Sequence, residues 1–323
     1  IPYSFKTRYL ILPLAIGVLV LAARSSIGRR PANLSTASFS TNHLANELAL
    51  NSTYTVLYAF YRMNHADDHS LEMYGKMDKS EIFSRISNLT GIKGSYEDPI
   101  PFLHKQSSPF KLNKPMNVVI FLQESMGAPH VGCLGGPPIT PNLCALKNEG
   151  LWMTNLQATG TRTARGIEAT LTGFLPTANK GIIKLEKAKI DFFSAASLFK
   201  EYGYTTEFLY GGVSTFDEMR SFCMGNGFDH IYDQETIENP VFTGTWGVSD
   251  EDLVRKANEV FRDHGDQPFF AYMLSTTNHV PFEFPDGRIE LYDKTKQTNN
   301  NAVKYADYAI GLFFELAKKE KYF

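Results

Sequence analysis

Hydroxyl and guanidinium side chains crowd into one short stretch, Ala158-Thr159-Gly160-Thr161-Arg162-Thr163-Ala164-Arg165-Gly166-Ile167-Glu168, which runs into a helical pattern. A threonine at a helix start lies near exposed backbone N–H groups and the positive end of the helix dipole. That setting favours an alkoxide and an incoming phosphate or sulfate. Arg162 and Arg165 add planar donors suited to the same anion. The ordinary alternative is that such a threonine only caps the helix. Glu124, in Gln123-Glu124-Ser125-Met126, offers an oxygen ligand for a hard or borderline cation, or else caps the following helix. His279, in Ser275-Thr276-Thr277-Asn278-His279-Val280-Pro281-Phe282, is of a type to bind a substrate or its leaving group, or to be a hydrogen-bonded surface group. In Leu209-Tyr210-Gly211-Gly212-Val213-Ser214-Thr215-Phe216-Asp217, a glycine turn carries Tyr210 and Asp217 as groups that could face the same cleft.

These segments need a frame that brings them together. Asn117–Leu122 is a short β-branched run of the kind a buried parallel strand requires, and it leads directly into Glu124. Further strands are predicted at Leu151–Leu156, Thr205–Leu209 and Pro268–Leu274. Helices are predicted at Thr140–Glu149, Arg165–Thr172, Asp191–Tyr202, Ser249–His264 and Asn300–Lys318. This alternation predicts an α/β sandwich, in which ligands bind at the carboxyl ends of the strands. The residues just after Leu122, Leu156, Leu209 and Leu274 therefore carry the interest.

The 323 residues, 43% of them hydrophobic, suffice for one large domain with an appendage. Lys plus Arg number 32 against 34 Asp plus Glu, a net charge of −2, so no global field draws the chain to nucleic acid. The three cysteines, Cys133, Cys144 and Cys223, argue against a disulfide framework and a Cys-rich zinc site, while leaving room for one disulfide. Tyr9–Ala23 is an unbroken apolar run between Lys6 and Arg8 on one side and Arg24, Arg29 and Arg30 on the other. It is shorter than the roughly 20 residues of a bilayer-spanning helix. It reads as the end of a membrane region, with a cleaved signal peptide or a buried core helix as rivals. From Pro31 to Tyr61, spaced apolar residues in a polar background predict short helices laid along another surface. Met63–Pro115, with Gly91, Gly94 and prolines from Pro99 to Pro109, predicts a second connector.

Together the motifs resemble the sulfatase-like branch of the alkaline phosphatase superfamily, and within it the lipoteichoic acid synthase and phosphoglycerol transferase proteins. The resemblance runs over Asn117–Phe323. It rests on NVVIFLQES, TPNLCALKNEG, TGTRTARGIEA and LSTTNHVPF. It implies a three-layer α/β sandwich with a mostly parallel central sheet, preceded by a helical linker and the end of a membrane segment. The corresponding division is 1–30 membrane-proximal, 31–115 helical linker and 116–323 catalytic. The resemblance makes Thr163, in its Thr-x-x-Gly setting, the nucleophile, with Thr161 as fallback. Glu124 and Thr163 become metal ligands, and His279 becomes a ligand of the substrate phosphate; Arg162, Arg165 and Asp217 stand as further substrate contacts on the residues alone. It also implies an Asp-His pair of metal ligands after a later strand. The chain stops at Phe323, where that strand would begin, so the expectation is a C-terminally incomplete domain.

The implied activity is metal-dependent, extracytoplasmic transfer of a phosphoryl-type group, phosphoglycerol from a lipid donor, through a covalent threonine intermediate. The implied cofactor is a divalent cation, Mn2+ first and Mg2+ or Zn2+ as alternatives. The implied partners are a lipid-linked or small phosphodiester and the cell membrane, without nucleic acid. Around Phe216-Asp217-Glu218-Met219 the chain lacks the Trp and Arg that lipoteichoic acid synthases carry there, which leaves the donor open. A sulfatase proper needs a Cys or Ser in a C/S-x-P-x-R context, which is missing. Phosphoethanolamine transfer, a sulfatase-like phosphodiesterase, and an inactive envelope domain that binds or regulates remain as alternatives.

Overall fold

The computed structural model describes residues 5–27, 31–64, 73, 75–94, 100, 102, 104, 114–177 and 179–323. Arg29, Arg30 and the prolines Pro99, Pro101 and Pro109 lie outside the described residues. Four strands, β1 (Val118–Leu122), β2 (Thr205–Tyr210), β3 (His230–Tyr232) and β4 (Phe269–Leu274), form one sheet in the order β1-β4-β2-β3. Every pairing is parallel: Leu122 lies opposite Leu274, Tyr210 opposite Leu274 and Leu209 opposite Tyr232. Because β4 is central and covered on both faces, its sequence FFAYML is apolar throughout rather than alternating, and all six residues are buried.

The period of two sorts the strand side chains into two cores. Phe208, Tyr210, Phe270, Tyr272 and Leu274 pack with Ile167, Leu171, Phe222 and Phe228 on one face. On the other, Leu209, Phe269, Ala271 and Met273 pack with Leu253, Val254, Ala257, Phe261 and Phe313. The first layer holds α6 (Thr163–Ile167), α7 (Ala195–Glu201) and α8 (Met219–Gly225); the second holds α9 (Asp250–Asp263) and α10 (Asn299–Ala317). Short α5 (Pro141–Leu146) lies against α10, where the Asp307 carboxylate accepts from Asn142 N (2.9 Å) and Leu143 N (2.8 Å). The layered, parallel α/β architecture is the one the sequence predicts.

Local expectations are corrected at several points. Leu151–Leu156 forms no strand, and Leu151, Met153 and Leu156 are largely exposed. The three-residue strand β3 was missed, being too short to show a period and lying at the sheet edge. The helix expected from Arg165 begins at Thr163 and widens into a π-helical turn over Glu168–Thr172. Cys133 and Cys144 form a disulfide, with Cα atoms 5.7 Å apart, while Cys223 is a buried thiol.

Before the sheet come α1 (Phe5–Arg24), α2 (His43–Leu48), α3 (Ser52–Asn64) and α4 (Lys79–Thr90). The run Tyr9–Ala23 lies in α1. Among the described residues no helix is long and apolar enough to cross a membrane. The stretch between α1 and α2 is strapped onto the domain: Asn33 Nδ2 donates to Thr215 O (2.9 Å), Arg220 Nε to Ser38 O (2.9 Å) and Ser221 N to Ser35 Oγ (3.0 Å).

One buried pair gives the fold a pH dependence. Glu207, on β2, is fully buried with an oxygen 2.9 Å from His264 Nε2. Burial, reinforced by Asp229, pushes Glu207 up from 4.5 to about 7; burial, reinforced by His230, pushes His264 down. Both shifts favour the neutral forms, so the contact is not an ion pair, and neither Glu207 oxygen nor His264 Nε2 has a hydrogen-bond partner among the described residues. A carboxyl whose folded value lies above its unfolded one contributes stability at low pH and loses it as pH rises through the folded value. The Glu207 contribution should therefore fall between pH 4.5 and about 7, by on the order of 2–3 kcal/mol, while the lowered His264 acts in the opposite sense below its unfolded value of 6.5. Glu207→Gln, which is neutral at every pH, should remove the Glu207 part of this slope in denaturant titrations across the window. An unchanged slope would assign it elsewhere.

Candidate active site

Neighbouring β1 and β4 end side by side, so the two segments that follow them meet. Ser275 N donates to Leu122 O (3.2 Å), Glu124 N to Ser275 Oγ (2.8 Å) and Asn278 Nδ2 to Glu124 O (2.8 Å). The buried Asp250 carboxylate, at the start of α9, braces the second segment by accepting from Thr276 N (2.8 Å) and Thr277 N (3.3 Å). Burial pushes Asp250 up, against the lowering pull of these same donors. Ser125, at φ +50°, turns the chain sharply after Glu124.

The result is a nearly buried carboxylate facing a hydroxyl. Thr163 Oγ1, on the first residue of α6, donates to Glu124 Oε2 at 2.7 Å. The other carboxylate oxygen accepts from Ser125 Oγ (3.0 Å), and His279 Nε2 lies 3.5 Å from it. Thr163, Glu124 and His279, far apart in sequence, are thus brought to one point at the carboxyl edge of the sheet, where a parallel α/β sheet binds its ligands.

Trp246 holds the imidazole. Its ring stacks on that of His279 at 4.2 Å, and its indole N–H donates to Val280 O (2.8 Å), fixing both the ring and the loop that carries it. Phe216 meets Trp246 edge-on at 6.0 Å. Trp246 reaches this position because two glycine segments cross. Val248 N donates to Gly211 O (2.8 Å), and a Cβ on Gly247 (φ +140°) would stand 2.0 Å from Gly211 O. Only glycine permits that approach.

The remaining candidates are placed differently. Arg162 is the N-cap residue of α6 and is exposed beside Thr163. Arg165 spends its guanidinium on the buried Glu168 (3.0 and 3.1 Å) and on the carbonyls of Thr177 (2.8 Å) and Asn179. A fully buried carboxylate requires such a partner, so Arg165 anchors the helix to the following loop instead of joining the Glu124–Thr163 pair. Asp217 pairs with Lys184 at 2.7 Å on a turn held at φ +52°. Tyr210 is buried in the first core. Thr161 is exposed ahead of α6. Reasoning from the sequence missed Trp246, Ser275, Asn278 and Asp250. The last three lie in or against the LSTTNHVPF segment, and Trp246-Gly247 stands just before the Ser249 cap of α9, a pattern that places a helix but assigns no role to the ring.

Glu124 and Thr163 are hard oxygen donors, their contacting atoms 2.7 Å apart, of the kind that suits Mg2+, Mn2+ or, with nitrogen added, Zn2+. Among the described residues no group of three or more His, Cys, Asp and Glu side chains is disposed to hold an ion. The pair therefore fits a divalent cation as part of a ligand set, and the implied Asp-His pair has no counterpart beside it among those residues.

A parallel sheet covered on both faces, with a carboxylate and a hydroxyl converging at its carboxyl edge, defines an alkaline-phosphatase-like α/β protein. The chain belongs to the sulfatase family, whose model matches residues 116–323. It is similar to a crystal structure of an alkaline phosphatase superfamily protein from Vibrio parahaemolyticus: 47% identity, TM-score 0.74, covering 77% of this chain and 61% of that one. The lipoteichoic acid synthase LtaP from Listeria monocytogenes shares the fold at 20% identity and a TM-score of 0.59, covering 73% of this chain and 58% of that one. Among curated proteins, phosphoglycerol transferase I of Citrobacter koseri is 28% identical over 222 residues, 65% of this chain and 29% of the relative. The Escherichia coli protein of the same name is 26% identical over 269 residues, 77% of this chain and 35% of the relative. The chain thus spans about a third of the length of these curated relatives.

Proposed function

We propose that the chain is the catalytic part of a membrane-anchored, extracytoplasmic phosphotransferase that moves a phosphoglycerol-type group from a lipid donor by way of Thr163. The observation that carries this reading is the 2.7 Å hydrogen bond from Thr163 Oγ1 to Glu124 Oε2 at the carboxyl edge of the sheet. The curated relatives named phosphoglycerol transferase I support the group transferred. The Cys133–Cys144 disulfide supports an oxidising, extracytoplasmic setting. The apolar run in α1 supports anchorage, with 1–30 membrane-proximal, 31–115 linker and 116–323 catalytic.

In the first step Thr163 Oγ1 gives up its proton and attacks phosphorus in line, and the bond from phosphorus to the lipid oxygen breaks, that oxygen taking up a proton and leaving as diacylglycerol while glycerol phosphate stays esterified to Thr163. In the second, an acceptor hydroxyl or water displaces Thr163 and takes the group. Glu124 orients the hydroxyl through Oε2 and, with Thr163, would hold the divalent cation. That ion, Mn2+ in this reading, supplies a lowered hydroxyl pKa and neutralises developing charge. His279, set by Trp246, presents Nε2 to the phosphate or the leaving oxygen, and Arg162 at the rim of α6 contacts the transferred oxygens. Arg165 and Asp217 act through the loops they pin.

The test uses full-length protein with phosphatidylglycerol and phosphatidylethanolamine side by side, after chelation and after Mn2+, Mg2+ or Zn2+ is restored. Diacylglycerol should appear from phosphatidylglycerol, vanish on chelation and return most fully with Mn2+. Preferential cleavage of phosphatidylethanolamine would make the protein a phosphoethanolamine transferase. Lipid binding without metal-dependent release would make it a binding domain.

A further inference from the structure

Helix α3 is amphipathic the wrong way round for a helix between a domain and water. Thr55 and Tyr58 are half-buried and turn inward, lining a cleft shared with Leu34, Lys189 and Ser221 of the strap and the α/β domain. Val56, Leu57, Phe60, Tyr61 and Met63 point outward and are between 56% and 78% exposed. At 100° per residue these five occupy one side of the helix, opposite Thr55 and Tyr58. In water the polar side of such a helix faces out; here the apolar side does, and contiguous exposed apolar surface of this kind marks an interaction face.

The patch is continuous with α1. Leu10, Leu12, Leu14, Leu19 and Leu21 are each more than half exposed around that helix, and its end, at Ala22 and Ala23, lines one cleft with Tyr54 and Leu57 of α3. Residues 52–64 contain a single charged residue, Arg62, and the outward face carries the exposed Tyr61, of the aromatic type that settles at the level of lipid headgroups. We propose that the outward face of α3 lies on the bilayer surface into which α1 inserts. On this proposal α3 is an apolar and aromatic interfacial helix, bound by burial rather than by charge. The strap from Asn33 to Ser38, bonded to Thr215, Arg220 and Ser221, and the cleft that Thr55 and Tyr58 share with Lys189 and Ser221 then link α3 to the domain, so docking sets the height of the site above the lipid headgroups. The proposal rests on the membrane anchorage proposed above.

The experiment places a single fluorophore on an introduced thiol of the full chain, Cys133 and Cys144 being bonded and Cys223 buried. Positions are Leu14→Cys on α1, Phe60→Cys and Val56→Cys on α3, and Tyr202→Cys, which is exposed just past α7 at the opposite edge of the sheet. The protein is reconstituted in phosphatidylcholine–phosphatidylglycerol vesicles with and without nitroxide-bearing phosphatidylcholine. Fluorescence should be lost to the nitroxide at positions 14, 56 and 60 and kept at 202, equally at low and high salt. Quenching at 14 alone would overturn the docking while leaving the anchorage intact. Quenching at none would overturn the anchorage and the docking with it. Shielding of 56 and 60 that follows protein concentration instead of lipid would assign the face to a second copy of the chain and overturn the proposal.

Discussion

Thr163→Ala is expected to abolish donor cleavage, lowering kcat by at least about 10⁴-fold, because the oxygen that forms the new bond to phosphorus is gone. The fold should survive. Thr163 is the first residue of α6, where alanine is a good helix former, and the change removes one side-chain hydrogen bond, the 2.7 Å contact to Glu124. The stability cost is about 1 kcal/mol. Steady-state release of diacylglycerol together with a thermal melt separates the two effects. If activity persists at a tenth of wild type or more with the melt unchanged, Thr163 is only the helix-start residue that the ordinary reading of the loop describes. Thr161→Ala, exposed ahead of the helix, should change kcat little.

Glu124→Gln carries the second large effect. The substitution preserves shape, and the bonds made by the main chain of residue 124, from its N–H to Ser275 and from Asn278 to its carbonyl, are unaffected. The negative charge is lost, and one carboxylate oxygen is replaced by a donor that can accept neither Thr163 Oγ1 nor a cation. A nearly buried ligand position that changes from anion to amide should cost about 10³-fold or more in kcat. The apparent affinity for Mn2+ should weaken in parallel, read by activity against metal concentration and by direct metal titration. An activity loss with unchanged metal affinity would make Glu124 an orienting group for Thr163 alone.

Much of this arrangement was legible before the structure, for identifiable reasons. The buried strand β4 announced itself through FFAYML, since a central parallel strand has no solvent face to alternate with. Glu124 and the segment after Leu274 stood out because parallel sheets bring the carboxyl ends of neighbouring strands together, which the pairing of Leu122 with Leu274 then does. What could not be read was long-range side-chain commitment. Arg162 and Arg165 look equivalent in the sequence, but only the tertiary structure reveals the buried Glu168 that takes up Arg165. Trp246 carried no local signal at all, because its role depends on the crossing of Gly211 by Gly247 and on the 4.2 Å stack with a ring more than thirty positions away. Leu151–Leu156 shows the converse error: a stretch of strand-like length whose Leu151, Met153 and Leu156 stay exposed instead of joining the sheet.

The central claim is the covalent role of Thr163, and rapid acid quenching of full-length protein during turnover of phosphatidylglycerol with Mn2+, followed by peptide mass spectrometry, tests it most directly. The account predicts a glycerol phosphate adduct on the peptide containing Thr163, located to that residue by fragmentation and missing in Thr163→Ala. Turnover with no adduct on that residue, or an adduct carried instead by Thr161, would contradict it.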